Sequence, residues 1–186
     1  MIKKYAALFI FSGCLLNIAA CSPFVMWKEE VKLNDGRVVV VEQKKLVDHG
    51  IAREAWLTLN LPEFSDQPIV WHEFVSPIVL NIDGGHLYIV GDPPTPVEIR
   101  KYDCPKHAYV GFVWENKTWK RIPFERIPVD IYDANMLIAN FPQNGTSFMT
   151  LDKKNSKEEN GDARIHGLLK IDPNRGNWGC TSATSM

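Results

Sequence analysis

The chain has 186 residues, with 21 Lys and Arg against 22 Asp and Glu, a formal charge of −1. That balance, with no basic stripe and no cationic amphipathic helix, argues against nucleic acid and against peripheral binding to lipid by a helix. The length suits one domain with a proper core, and no internal repeat points to a propeller.

The N-terminus reads as an address. Lys3 and Lys4 precede an apolar run from Tyr5 to Leu16, broken only at Ser12 and Gly13, and small residues follow at Ala19 and Ala20. Charge, then apolar run, then small residues is the order of a secretory signal peptide, placed over residues 1–20. A spanning helix wants about 20 apolar residues, and this run is shorter.

The ending Ile18-Ala19-Ala20-Cys21 resembles the lipobox of bacterial lipoproteins. The resemblance implies cleavage before Cys21, a diacylglycerol on its sulfur and acylation of the new N-terminus. Cys14 fits less well, because Phe11 occupies the place of a small aliphatic residue. Residues 21–26 then form a lipidated tether and 27–186 a single β-rich domain. Ser22 after the cysteine, in place of Asp, implies the outer membrane, with the protein on its periplasmic face. In that case Cys14 is removed and Cys21 is consumed, leaving Cys104 and Cys180 as one even pair. An exported chain meets conditions where disulfides persist, so the two are expected to bridge. The competing reading of Cys104 is a zinc half-site with His107, in C-x-x-H spacing, but no second ligand pair is visible. No metal and no cofactor is expected.

Taken in chain order, strand signals dominate. Val25 to Leu33 and Arg37 to Glu42 flank Asn34-Asp35-Gly36, a hairpin signal because Asn, Asp and Gly tolerate positive φ. Leu57, Leu59 and Leu61 alternate with Trp56, Thr58 and Asn60, which gives a strand with two unlike faces. Ile69 to Val75 follows. Pro77 to Ile82 and Leu87 to Val90 flank Asp83-Gly84-Gly85, and Tyr109 to Trp114 and Thr118 to Ile122 flank Glu115-Asn116-Lys117. Phe148 to Leu151 and Ile165 to Ile171 complete the set. Pro93-Pro94-Thr95-Pro96 is expected to be an extended loop or sheet edge. Pro123 and Pro128 bracket an irregular piece. Asp130 to Asn140 is the one helical candidate, with Asp133 as its cap. Asp152 to Asp162 is highly charged and reads as a mobile surface loop. Many short strands with Gly and Pro turns predict an all-β fold, an antiparallel sandwich or barrel-like domain with little helix.

The stretch from Trp27-Lys28-Glu29-Glu30-Val31 through Asp35-Gly36-Arg37 and the valines after it is similar to the opening of a loose group of uncharacterised bacterial envelope proteins. Pro77-Ile78-Val79-Leu80, Leu87-Tyr88-Ile89-Val90, Cys104, Trp119-Lys120-Arg121-Ile122-Pro123 and Ile127-Pro128 continue the likeness, over roughly Trp27 to Leu137. The resemblance implies no activity.

Candidate chemistry is thin. His72-Glu73 beside Trp71 is the most suggestive cluster, but neighbours on a strand point to opposite faces. Asp83 and His86 flank a turn. His49, His107 and His166 show no metal spacing. Asn116-Lys117-Thr118 and Asn144-Gly145-Thr146 fit a glycosylation pattern and read as turns. Of the six tryptophans most should be core. Trp114 and Trp119, flanking one turn, are the candidate binding aromatics, with Tyr109 or Tyr102 near them. The expected function is that of a lipid-anchored envelope binding or accessory module without catalysis. Its partner would be an envelope protein or a cell-wall glycan. The alternatives are an envelope hydrolase acting on peptidoglycan or an ester, through His72 or His107, and an inhibitor whose loop Asp92 to Pro96 plugs an enzyme cleft.

Overall fold

A computed structural model describes residues 23–139, 141–156, 158–159, 169–176 and 180. Residues 1–20, read from the sequence as a signal peptide, and Cys21, Ser22, His166 and Trp178 lie outside the described residues.

Two sheets pack face to face. The first has five strands in the order β4-β3-β2-β1-β9 and the second has four in the order β5-β6-β7-β8. The first is built from β1 (Phe24–Lys32), β2 (Val38–Asp48), β3 (Ile51–Leu59), β4 (Ile69–Glu73) and β9 (Phe148–Met149). The second holds β5 (Ser76–Asp83), β6 (His86–Asp92), β7 (Val110–Glu115) and β8 (Thr118–Ile122). Neighbours run antiparallel except β9, which pairs parallel to β1. The all-β sandwich read from the turns is therefore the fold. β1 begins at Phe24, so the last residues read as tether already belong to the sheet.

Three hairpins turn on two residues that both have positive φ: His49-Gly50, Gly84-Gly85 and Asn116-Lys117. Such turns match the right-handed twist of the strands they join. The second and third stand where Gly-Gly and Asn-Lys place them. The first joins β2 to β3, whose full length the sequence pattern does not reveal.

The main core lies between the sheets. Val31, Val41, Leu57, Ile69 and Trp71 of the first sheet meet Leu80, Leu87, Ile89 and Phe112 of the second. Each such side chain, fully buried, contributes about 1.5–3 kcal/mol. The other face of the second sheet is covered as well. Val79, Val90 and Val113 pack beneath Phe124, Ile127, Ile131, Tyr132 and Ile171. Among the described residues the outer side of the first sheet has no such cover, and Met26, Val38, Val40 and Val70 are exposed there.

The chain crosses between sheets through Phe74 and Val75 alone, since β4 ends at Glu73 and β5 starts at Ser76. Gly91 makes room for that corner: a Cβ there would lie 2.9 Å from Val75 Cβ.

Several expectations are corrected. Pro93 to Pro96 is not simply extended, because Pro96 opens α1 (Pro96–Arg100). The Thr95 hydroxyl accepts from Val97 N–H, and proline suits a first helical position, where its missing donor costs nothing. Arg53 fastens this helix to β3 by an ion pair with buried Glu98 at 3.2 Å. The strand expected over Phe148 to Leu151 is two residues long. Thr150 then caps α2 (Leu151–Lys154).

α2 also changes the reading of the charged run. Lys154 is buried, and its ammonium donates to the Glu30 and Asn135 carbonyls. Leu151 N–H donates to the Glu30 carboxylate at 2.9 Å. The start of that run is therefore docked on β1. Asp130 to Asn140 holds only a 3-10 turn over Val129–Ile131. Asp133 caps nothing and instead makes a single bridge with Lys170. Of the strand expected over Ile165 to Ile171, residues 165–168 fall outside the description.

Candidate functional site

The outer face of the first sheet is assembled by register. Met26 pairs with Lys44, Lys44 with Trp56 and Trp56 with His72, one residue from each of four strands. Strand alternation sends all four outward. Phe24, two residues before Met26, extends the same surface, and Phe74, just past the end of β4, borders it while packing partly against the main core.

The rings form a row. Phe24 meets Trp56 edge-on at 5.8 Å, Trp56 stacks on His72 at 4.1 Å and 9°, and His72 lies 6.2 Å from Phe74. Lys44 Nζ stands 4.1 Å from the Phe24 ring and 4.8 Å from Trp56, and Lys101 Nζ stands 3.3 Å from Phe74. His72 Nε2 also meets the Glu54 carboxylate at 2.9 Å. His72 and Glu73 do point apart, since Glu73 accepts from the Tyr102 hydroxyl at 2.9 Å on the other side. Trp71 shares that inner face. Its indole Nε1 has no hydrogen-bond partner among the described residues.

A second concavity lies against β8. A cleft of about 330 Å³ is lined by Tyr102, Tyr109, Phe124, Pro105, Pro123 and Arg121, among others. The Cys104–Cys180 disulfide stands beside it, with Cα atoms 5.7 Å apart. The bond takes Cys104 out of any zinc half-site. Among the described residues no three His, Cys, Asp or Glu side chains gather to hold a metal. Asp103 and Cys104, just before Pro105, both have positive φ, a conformation that costs non-glycine residues free energy.

Electrostatics in the cleft follow burial. Burial pushes the Tyr102 hydroxyl up, and the carboxylate of Glu73 pushes it further. Burial also raises Glu73, against the hydrogen bond from Tyr102. Phe74 N–H donates to the same Tyr102 oxygen at 2.9 Å, so this hydroxyl is fully engaged. The cleft offers the edges of buried aromatic rings and one guanidinium, Arg121, which is half-exposed and pairs with exposed Asp103.

The predicted aromatics divide. Tyr109 lines this cleft, and the tail fixes it: Arg175 donates to its hydroxyl at 3.4 Å and to the Asp92 carboxylate at 2.9 Å. Trp114 and Trp119 are cross-strand partners with rings 5.3 Å apart. Both pack against the main core, and Trp119 Nε1 is enclosed. They face the first sheet, whereas Tyr109 belongs to the opposite face of the second, so the three do not form one surface.

The histidines also scatter. His107 stacks on Phe124 at 4.1 Å and meets the Pro173 carbonyl at 3.0 Å. His49 sits at a turn tip against Asp48, and His86 lies 6.4 Å from Tyr88. The loop Asp92 to Pro96 is tied down by Arg175 at one end and by the α1 cap at the other.

A cluster of polar groups lies inside the sandwich. Lys45 on β2 is wholly enclosed, and its Nζ reaches Ser76 Oγ at 3.3 Å and the Trp27 ring at 5.5 Å. Burial lowers its pKa to about 8, with Glu29 opposing the shift. Glu29 accepts from Trp27 Nε1 at 3.2 Å, and the Gln43 amide, buried on the same face of the sheet, has no hydrogen-bond partner among the described residues. A lysine with a lowered pKa against a serine hydroxyl is chemistry that a hydrolase can use. Here Ser76 is 8% exposed and Lys45 0%, so the pair is enclosed between the sheets.

The sequence missed the aromatic row and the internal lysine. Alternation places Trp56 and His72 on outer faces but does not align one strand with the next. Compared with known proteins, the chain matches no family model, no curated protein and no solved structure.

Proposed function

We propose that the chain is a lipid-anchored binding module of the bacterial envelope, held through Cys21 on the periplasmic face of the outer membrane. Its partner is another envelope protein or a cell-wall glycan. One observation carries the reading: a cleft of about 330 Å³ is walled by the largely buried rings of Tyr102, Tyr109 and Phe124, with the half-exposed guanidinium of Arg121 at its rim, beside a disulfide that pins the tail. Aromatic walls with one charge at the rim suit a sugar ring or a peptide segment better than bond-breaking chemistry.

Two measurements test it. Cys21→Ala should move the protein from the membrane to the soluble periplasmic fraction, and unchanged fractionation rejects the anchor. A photo-crosslinking residue at position 121 should capture one envelope protein, or bind muropeptides, in a way that Tyr109→Ala abolishes. Failure of both captures, with the fold intact, rejects the cleft.

The hydrolase reading has one observation in its favour, the Lys45–Ser76 contact. A substrate would have to part the sheets to reach it. Ester hydrolysis lost in Ser76→Ala and retained in Arg121→Glu would favour that reading over the binding one.

A further inference from the structure

We propose that the outer face of the first sheet lies against the lipid headgroups of the bilayer that holds the anchor. The aromatic row from Phe24 to Phe74 would sit at the interface, with the Lys44 and Lys101 ammonium groups toward lipid phosphates. The inference rests on the lipid-anchor reading and adds an orientation to it.

Connectivity is the first argument. Phe24 follows Cys21 by three residues, and three peptide units span at most about 11 Å. Acyl chains on Cys21 hold that end at the bilayer surface. The start of β1 therefore stays within about 11 Å of the anchored residue whatever Ser22 and Pro23 do.

What β1 presents there is the second argument. Phe24 is 37% exposed, and Met26, the next residue on that face, is 68% exposed. The row does not stop at β1. Rings continue through Trp56 on β3 to His72 on β4 and to Phe74, so the surface crosses the width of four strands. Among the described residues this face leaves Met26, Val38, Val40 and Val70 exposed, whereas both faces of the second sheet are packed.

The side-chain chemistry is the third argument. Trp is enriched where a membrane meets water, because its ring is apolar and its N–H is polar. Lysine lays its stem along apolar surface and keeps its charge in the polar layer. Lys44 stands over two rings of the row and Lys101 over a third, so cations flank the aromatic surface. Anionic phosphates complement that arrangement. The flat row would also accept stacked sugar rings, but the nearest surface to residue 24 is fixed by the anchor, and that surface is lipid.

The test uses the full acylated protein, reconstituted into vesicles of phosphatidylethanolamine and phosphatidylglycerol. The probe is the fluorescence share of Trp56, taken as wild type minus Trp56→Phe. Lipids with a nitroxide near the headgroup should quench that share at least about twofold more strongly than aqueous iodide does. Lys44→Glu combined with Lys101→Glu should reverse the order. Trp56 open to iodide in protein that still sediments with vesicles overturns the orientation and leaves the anchor standing. A chain with no acyl mass at Cys21 overturns both. Shielding of Trp56 by soluble muropeptides, with no lipid quenching, overturns the proposal in favour of a glycan.

Discussion

Lys45 Nζ stands 3.3 Å from Ser76 Oγ, so a lysine of one sheet and a serine of the other meet inside the sandwich. Enclosing an ammonium group is costly, and the hydroxyl, the nearby Glu29 carboxylate and the Trp27 ring offset only part of that cost. The lowered pKa is the measurable trace of the remainder.

That trace fixes a pH dependence. Folded Lys45 releases its proton near pH 8, and an unfolded lysine near 10.5. Below that window both states are charged and the fold carries the full penalty. Within it the unfolded state binds more protons, so stability rises with pH, by about 3 kcal/mol at most. Burial lowers Lys154 in the same direction, which adds to the rise. Tyr102, raised by burial, works the other way once pH passes about 10. Urea denaturation from pH 7.5 to 10 should show stability climbing in the wild type and much less in Lys45→Met. Parallel curves for the two proteins would refute the assignment to Lys45.

The disulfide closes a loop with a sequence separation of 76. Chain entropy puts its contribution at about 4 kcal/mol. Reduction, or Cys104→Ser with Cys180→Ser, should lower the urea midpoint accordingly, and peptide mapping without reductant should recover the two cysteines joined. Free thiols at both positions in protein isolated without reductant would contradict the pairing.

Two glycines should respond differently to alanine. At Gly91 the new methyl would meet the stiff, β-branched Val75 at the corner between sheets. At Gly111 it would lie 2.7 Å from Ile127 Cγ1 and 2.8 Å from Cδ1, side-chain atoms beyond Cβ, whereas at Gly91 Val75 Cβ itself stands 2.9 Å away. Gly91→Ala should cost about 2–3 kcal/mol and Gly111→Ala about 1 kcal/mol. Thermal or urea unfolding reads the order, and the reverse order would mean that the corner is more pliable than its packing implies.

Adjacent lysines on α2 provide a contrast. Lys154 is buried with its charge spent on two carbonyls near Glu29 and Glu30, while Lys153 is exposed. Lys154→Ala leaves those groups unpaired and should cost about 2–3 kcal/mol. Lys153→Ala should stay within about 0.5 kcal/mol. Equal effects on unfolding would show that α2 is not docked.

Local turn chemistry made much of this fold legible. Asp35-Gly36, Gly84-Gly85 and Asn116-Lys117 announce their hairpins because few residues accept positive φ. The Cys104–Cys180 pairing follows from counting once the resemblance to a lipoprotein signal sets Cys14 and Cys21 aside. The long β2–β3 hairpin is hidden because Gln43 and Lys45, both polar, occupy inward positions and break the alternation. α1 is hidden because a proline cluster reads as extended chain until one proline is seen at a first helical position. The candidate surface is hidden for a different reason. Phe24, Trp56 and His72 come from three strands, and only the pairing register brings them into one row.

β9 and α2 tie the beginning of the domain to a segment made much later: Phe148 and Met149 pair with Lys28 and Glu29, and Leu151 N–H reaches the Glu30 carboxylate across 121 positions. As the chain is made, β1 can pair with β2 early, but its other edge waits for nearly the whole chain to arrive. Contacts this distant in sequence slow folding, and an unpaired edge left open meanwhile can recruit a neighbouring chain. Newly made copies therefore face their greatest hazard of aggregation before residue 148 emerges.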